Sequence, residues 1–417
     1  MRPFLRAASV LITALIVITV SVRGDAKYLF IQDSSPSKAA ASPAPPPLLL
    51  LDRQFIAEVA ARARSGDPSL KAAVVDLERE AAKALTMTPV SVMDKGIVPP
   101  SGDKHDYMSQ APYWWPDPSK PDGRPYIRKD GQRNPEINKL TDHENFDRVF
   151  DAVSTLGLAY FMTGRNEYAA KASTLVRTWF LDPATRMNPH LKFGQGIPGI
   201  NDGRGIGIIE TRGLPQLLDG IQLLAGSSSW TAADQSGLEA WMRAYVSWLT
   251  DSPHGKDEST NGNNHETWYD VQVAALALFT QQRDLARQTI ERSRERITRQ
   301  IEPDGRQPRE LERTLAWHYS IFNLTAFFQL AALGERVGVD VWGYATNDGR
   351  SLRRALDFLV PFADGRARWP YPEMRGIDAG AIHWLLRRAA AAWRAPEYRA
   401  LASKVGGGQA RLDLIVP

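Results

Sequence analysis

Twelve stretches of this 417-residue chain place apolar residues at helical spacing, and no run of any length alternates apolar and polar residues as a half-buried strand would. The periodic stretches fall at 52–64, 68–86, 142–163, 166–180, 205–224, 231–250, 265–280, 284–300, 315–333, 351–362, 376–393 and 396–404, with Gly, Pro or Asn/Asp at the joins. Successive helices with short joins stack as antiparallel hairpins, which either close into an α/α toroid or stay open as a solenoid. Periodicity does not separate the two. The segment 98–138 favours the toroid, because it is too aromatic and too polar for a linker, and long ordered loops of this kind line functional clefts. The expected fold is all-α: an α/α toroid or incomplete barrel of antiparallel helical hairpins with long cleft-lining loops.

The folded body is expected to begin at residue 48. Ahead of it, Arg2 and Arg6 precede an apolar run at 7–22, the pattern of a secretory signal peptide, here assigned to residues 1–26. That run is short for a membrane span, so stable membrane association is expected only if the segment stays uncleaved. Residues 27–47, rich in Pro, Ala and Ser from 34 onward, form a linker with nothing to pack a core, and 48–417 form a single catalytic domain. A periplasmic or secreted location follows. The chain has no cysteine, which excludes disulfides, thiolate metal sites and a cysteine nucleophile. A net charge of +4 is compatible with a polyanionic partner but far from that of a nucleic-acid binder, so no nucleic acid is expected.

Three segments carry chemistry. In the 98–138 insertion, Tyr107, Tyr113, Trp114, Trp115 and Tyr126 stand among prolines, arginines and lysines. Flat aromatic faces stack on sugar rings and the cations attract carboxylates, so the cluster reads as a carbohydrate cleft, against the alternative of aromatics pinning a loop to the body. In the second segment, NGNNHETWYDVQ, Asn263 and Glu266 have capping-box spacing, which starts a helix at Asn263 and puts His265 in its first turn. Unpaired N–H groups and the helix dipole there favour an anion, so Asn264 and a neutral His265 form a receptor for a substrate carboxylate, with Trp268 and Tyr269 lining or supporting the cleft from the same face. The bland alternative is an asparagine that only caps and a buried histidine.

In the third, RELERTLAWHYS, Arg313 lies six residues before Tyr319 and meets it best from a preceding loop. A guanidinium beside a phenol favours phenolate and is expected to lower the Tyr319 pKa toward a useful acid–base range. His318 points to a different face. The glycine-rich stretch 186–212 matches no phosphate-binding fingerprint and reads as an irregular loop that either brings Asn188 or His190 to a cleft or is purely structural. The seven histidines show no metal-ligand spacing and no serine-hydrolase elbow is present, so neither a metal nor a cofactor is expected.

NNHETWYDVQ (263–272), the Arg313–Tyr319 segment, NPHLKFGQGIPG (188–199) and HDYMSQAPYWWPDPSKPDGRPYIRKDGQRNPE (105–136) together resemble the alginate lyase superfamily of polysaccharide lyases, nearest to its glucuronan and mannuronan lyase branch. The resemblance covers roughly residues 85–390 and implies an α/α toroid and β-elimination on an anionic uronate polysaccharide. It places Asn188 and His265 at the carboxylate, Tyr319 at the proton-transfer position with Arg313 beside it, and Glu258 as an orienting partner of His265. In the best-known alginate lyases the Arg–Tyr spacing is one residue longer, which leaves the particular uronate open. Two other readings compete: a glycoside hydrolase on the same toroid, using carboxylates among Asp202, Glu210, Glu258 and Glu302, or a non-catalytic protein that captures acidic glycans.

Overall fold

The computed structural model describes residues 47–407 and 410–416, so the leader at 1–26 and the linker up to residue 46 lie outside the described residues. The helices are α1 (Arg53–Arg64), α2 (Lys71–Thr86), α3 (Asp142–Thr163), α4 (Asn166–Val176), α5 (Leu214–Gln222), α6 (Ala232–Asp251), α7 (Pro253–Glu258), α8 (Asn264–Phe279), α9 (Arg283–Glu291), α10 (Ser293–Gln300), α11 (Pro308–Leu311), α12 (Ala316–Glu335), α13 (Leu352–Ala363), α14 (His383–Ala392) and α15 (Pro396–Val405). The only strands among the described residues are short: β1 (Met108–Gln110) pairs in parallel with β4 (Phe193–Gly196), and β2 (Trp114–Trp115) pairs antiparallel with β3 (Ile127–Arg128).

The helix contacts trace the toroid. α3 packs on α5, α5 on α8, α8 on α12 and α12 on α14, while α2, α4, α6, α9, α13 and α15 pack outside this inner series. α8 and α12, at the centre of this series, are buried on nearly every side. In α8 only His265 and Leu278 escape burial. The C-terminal 3-10 turn Ala410–Leu414 packs on α2, where Arg411 donates to Thr155 Oγ1 at 2.9 Å and reaches Glu80 Oε2 at 3.3 Å. Where the described residues begin, the buried carboxylate of Asp219 in α5 accepts the backbone N–H groups of Leu49, Leu50 and Leu51 at 2.5, 2.8 and 3.0 Å.

Local chemistry explains the breaks. Thr231 and Asp234 close a reciprocal capping box at the start of α6. Asn263 caps α8 by accepting the His265 N–H at 3.0 Å. Glu266 does not complete that box; its carboxylate is buried against Arg296, Arg299 and Gln300, because burying a charge away from cations costs far more than forgoing half a cap. The stretch 205–224 is not one helix: a 3-10 turn, Gly205–Thr211, precedes α5, and Pro215 sits in the first turn of α5, where no N–H is needed. α3 and α5 cross at glycines, since a Cβ on Gly157 would stand 2.1 Å from the Gly220 carbonyl oxygen.

Candidate active site

A cleft of about 570 Å³ opens where the inner helices begin. It is lined by His143 and Glu144 from the first turn of α3, Arg212 just ahead of α5, Asn264 and His265 from α8, and His318, Tyr319 and Phe322 from the first turns of α12. Four helix starts thus face one space, and the N-terminal halves of their dipoles add positive potential there. Five arginines (128, 133, 204, 212 and 313) line the cleft against two carboxylates, Glu144 and Glu210. Arg128 and Arg313 share Asp130, while among the described residues Arg133, Arg204 and Arg212 form no ion pair. Burial, and after it the neighbouring Arg128, bring Arg204 down to about 10.

His265 meets a fully buried carboxylate. Its Nδ1 lies 2.8 Å from Glu258 Oε1, and Asn261 donates to the other oxygen at 2.7 Å. An ionised Glu258 accepts, so Nδ1 carries the proton and Nε2 is a lone pair in the neutral ring and a donor only in the imidazolium. Next to it, Asn264 is clamped by Glu310: the backbone N–H and the side-chain Nδ2 each reach a carboxylate oxygen at 2.7 Å. One Nδ2 hydrogen stays uncommitted, and Oδ1 is buried without a partner among the described residues.

Across the cleft, Arg313 occupies the turn between α11 and α12 and lays its guanidinium 3.7 Å from the centre of the Tyr319 ring. Asp130 holds that guanidinium through Nε and Nη2 at 3.1 and 2.8 Å. The Tyr319 hydroxyl is 2.9 Å from that of Tyr113. The expectation of a lowered Tyr319 pKa fails. Burial pushes this phenol up, the Arg313 charge pulls it only part of the way back, and Tyr113 and Asp130 raise it further.

The aromatic loop divides. Tyr113 and Trp114 line the cleft, with the Arg204 guanidinium 6.0 Å from the Trp114 ring centre. Trp115, expected at the substrate, lies off the cleft, where its indole N–H donates to the Gln132 carbonyl. Tyr107, also expected there, is fully buried and donates to Glu210 at 2.8 Å, so it props up the cleft floor from behind. Tyr269 is likewise core, with its hydroxyl on the Leu249 carbonyl; helical spacing put it on the His265 face, but α8 is buried all round and a shared face conveys little. Glu258 touches His265 rather than open cleft.

Asn188 is displaced most. Its side chain donates to Asp103 at 2.9 Å and Asp106 at 2.6 Å, away from the cleft, and His190 pairs with Asp106 as well. The glycine-rich stretch sends Gln195 and Arg204 into the cleft instead. Gln195 does so at a positive φ of 50°, strain tolerated where its carbonyl and side chain both hold Arg204. His318, read as facing elsewhere, is exposed to the cleft and stacked on Phe322. Sequence reasoning also missed Glu310 and Asp130, whose partners lie 46 and 183 residues away and follow no spacing rule. Among the described residues no group of three His, Cys, Asp or Glu is placed to hold a metal ion. Of the carboxylates a hydrolase would use, Glu210 lines the cleft, whereas Glu258 is buried behind His265 and neither Asp202 nor Glu302 reaches it.

A family profile described as alginate lyase matches residues 91–369, more than half of the chain. The chain belongs to the alginate lyase family. Among solved structures similar to this alginate lyase family member, an alginate lyase from Bacteroides ovatus is 43% identical at a TM-score of 0.85, with 88% of this chain and 98% of that chain covered. Alginate lyase A1-III from Sphingomonas species A1 shares the fold at 18% identity and a TM-score of 0.51, with 84% and 97% covered. A variant of A1-III complexed with a tetrasaccharide superposes equally, at a TM-score of 0.51. A search of curated proteins returns no match. This member of the alginate lyase family is a polysaccharide lyase on an α/α toroid.

Proposed function

We propose that this lyase cleaves a polyuronate, polymannuronate or glucuronan, by β-elimination, with Asn264 and His265 on the substrate carboxylate and Tyr319 moving the protons. The observation that carries the reading is the pairing of an asparagine–histidine helix start with a cation-faced tyrosine in one arginine-lined cleft. The substrate class draws support from the Bacteroides ovatus alginate lyase. Export is part of the proposal and rests on the leader pattern at 1–26.

The C5 proton of a uronate is only weakly acidic until the neighbouring carboxylate is neutralised. The free Asn264 amide hydrogen and the positive start of α8 meet that need by stabilising the enolate-like intermediate. His265 adds a donor only when protonated, because the neutral ring expected from the sequence presents the Nε2 lone pair once Nδ1 is on Glu258. Asn264 takes the place that the resemblance gave to Asn188. The Tyr319 phenolate accepts the C5 proton, the C4–O4 bond breaks as the C4–C5 double bond forms, and the new phenol returns its proton to the departing O4. Water is not consumed. Mannuronate and glucuronate share their configuration at C4 and C5, so one tyrosine serves both, and selection between them falls to contacts at C2. For the C5 epimer the base must come from another side, where a neutral His265 presents the Nε2 lone pair that Glu258 fixes.

The test is the ultraviolet absorbance of the unsaturated product on polymannuronate, polyguluronate, glucuronan and a hyaluronan-type glycan. Tyr319→Phe is expected to lower the rate by about 10²–10⁴-fold, the usual contribution of a general acid–base group. New reducing ends without absorbance would move the chemistry to hydrolysis and to Glu210. Because burial raises Tyr319 above the ordinary tyrosine value, the rate is expected to climb toward alkaline pH as the phenolate fraction grows. A rate that falls from neutral to alkaline pH on the preferred polymer would remove Tyr319 phenolate as the base.

A further inference from the structure

The loop 98–138 is fastened to the start of α12 by one carboxylate. Asp130, just past β3, accepts Nη2 of Arg313 on Oδ1 at 2.8 Å and Nε on Oδ2 at 3.1 Å, a bidentate contact along one edge of the guanidinium. The same Oδ2 accepts the Thr314 hydroxyl at 3.0 Å and its backbone N–H at 3.4 Å, and Oδ1 also takes Nη2 of Arg128 at 2.8 Å. The adjoining Gly131 sits at a φ of +73°, so close to Thr314 that a Cβ would stand 2.6 Å from its hydroxyl oxygen. Asp130 and Arg313 retain only 20% and 15% side-chain exposure, which sets this pair apart from a loose surface ion pair.

We propose that Asp130 is a positioning residue for the elimination: its carboxylate holds the Arg313 guanidinium over the Tyr319 ring, which couples the cleft-lining loop to the proton-transfer tyrosine. The inference rests on the reading of Tyr319 given above. An arginine side chain is long and rotamer-rich, and a bidentate carboxylate on one edge of its planar guanidinium fixes where that plane lies. The position matters because a cation on the ring face gains energy as the phenolate forms. Without Asp130, the anion best placed to recruit Arg313 is the substrate carboxylate, and the guanidinium leaves the ring to meet it. Binding is then maintained or tightened while turnover falls.

A purely electrostatic role gives the opposite sign. Asp130 is itself an anion near Tyr319, whose other charged or titratable neighbours are Arg313, Tyr113 and His318. If Arg313 stayed in place, neutralising Asp130 would ease phenolate formation, raise the rate and move the acid limb of the kcat profile to lower pH. The two effects are separable in one experiment.

Asp130→Asn and Asp130→Glu are assayed beside wild type and Tyr319→Phe on the polymer that wild type cleaves best. Asp130→Asn is expected to lower kcat by about 10–100-fold, the range for residues that orient a reacting group. KM should stay unchanged or fall, the acid limb should move to higher pH, and Asp130→Glu should recover part of the loss. An unchanged kcat, a loss confined to KM, or a limb moved to lower pH with kcat raised would overturn the proposal. If Asp130→Asn does not fold, Thr314→Val, which deletes only the hydroxyl bond to the carboxylate, must lower kcat at constant KM or the proposal fails. Full activity of Tyr319→Phe would instead sink the assignment of Tyr319 and leave that failure plainly distinct from this one.

Discussion

Asn264 keeps its place through Glu310, a residue that no spacing rule connects to it. The Asn264 backbone N–H and one of its Nδ2 hydrogens point at that buried carboxylate, and a glutamine there would have to turn an amide N–H toward one of them. Glu310→Gln is therefore expected to reorient the Asn264 amide and to lower kcat roughly tenfold or more, the scale seen when an orienting partner is lost. A steady-state comparison at saturating polymer measures it, and an undiminished kcat would mean that the clamp is structural only. The residue scale is also where the sequence misleads most. Asn188 and Asn264 each lie within two residues of a histidine, yet only Asn264 begins an inner helix, while Asn188 is drawn off by Asp103 and Asp106. His265, Tyr113, Trp114, Arg313 and Tyr319 are legible because their residue types suit a polyanionic sugar cleft. Tyr107, Trp115 and Tyr269 have the same aromatic character, but Tyr107 and Tyr269 are buried in the core and Trp115 is turned off the cleft.

At the scale of elements, most of the fold can be read before any coordinates are in hand. Capping residues, glycines and prolines mark where helices stop, and the apolar period marks where they run. Two features escape that reading. Short helices such as α7 and α11 hold too few residues to display a period, and the join at Arg292 that splits α9 from α10 carries no Gly or Pro. Faces are the larger loss. In α8 and α12 neighbours cover nearly every side, so a shared helical face says nothing about which residues look into the cleft. The crossing of α3 and α5 depends on missing side chains, and Gly157→Ala should cost about 1–3 kcal/mol, the range for overpacking a close contact. Urea unfolding measures this, and a variant as stable as wild type would show that the helices can separate freely.

Over the whole molecule, charge is distributed so that the cleft is positive while the net charge is small. Substrate capture should therefore weaken with salt. Raising ionic strength from about 0.05 to about 0.5 M shortens the screening length several-fold, so KM is expected to rise while kcat changes little. A salt-independent KM would deny the arginines a role in capture. Stability should vary with pH in two opposing ways. Burial raises Asp219 and Asp142 to about 6, in Asp142 against the pull of Lys95, so the folded state holds these protons more tightly than the unfolded chain. Their contribution is full at acid pH and is lost as pH rises from about 4 through about 6. Asp67, held at about 2 by its bonds to Ser69 and Arg62, and Asp234 and Asp130, held low by Arg177 and Arg313, act in reverse and lose their contribution as pH falls below about 4. Asp219→Asn should flatten the decline between about pH 4 and 6 in denaturant titrations, and an unaltered slope would place the effect elsewhere.

The anchoring of Leu49 and Leu51 has a practical reach beyond stability. Their carbonyls accept from Arg336, at the far end of α12 from Tyr319, and Leu51 shares a cavity with Arg411 and Ile415 near the C-terminus. Both ends of the folded body therefore emerge on the side away from the cleft. A solid support, a fluorescent partner or a second enzyme joined at either end would leave the mouth of the toroid open to a long polymer, so the molecule can be immobilised without blocking access to its substrate.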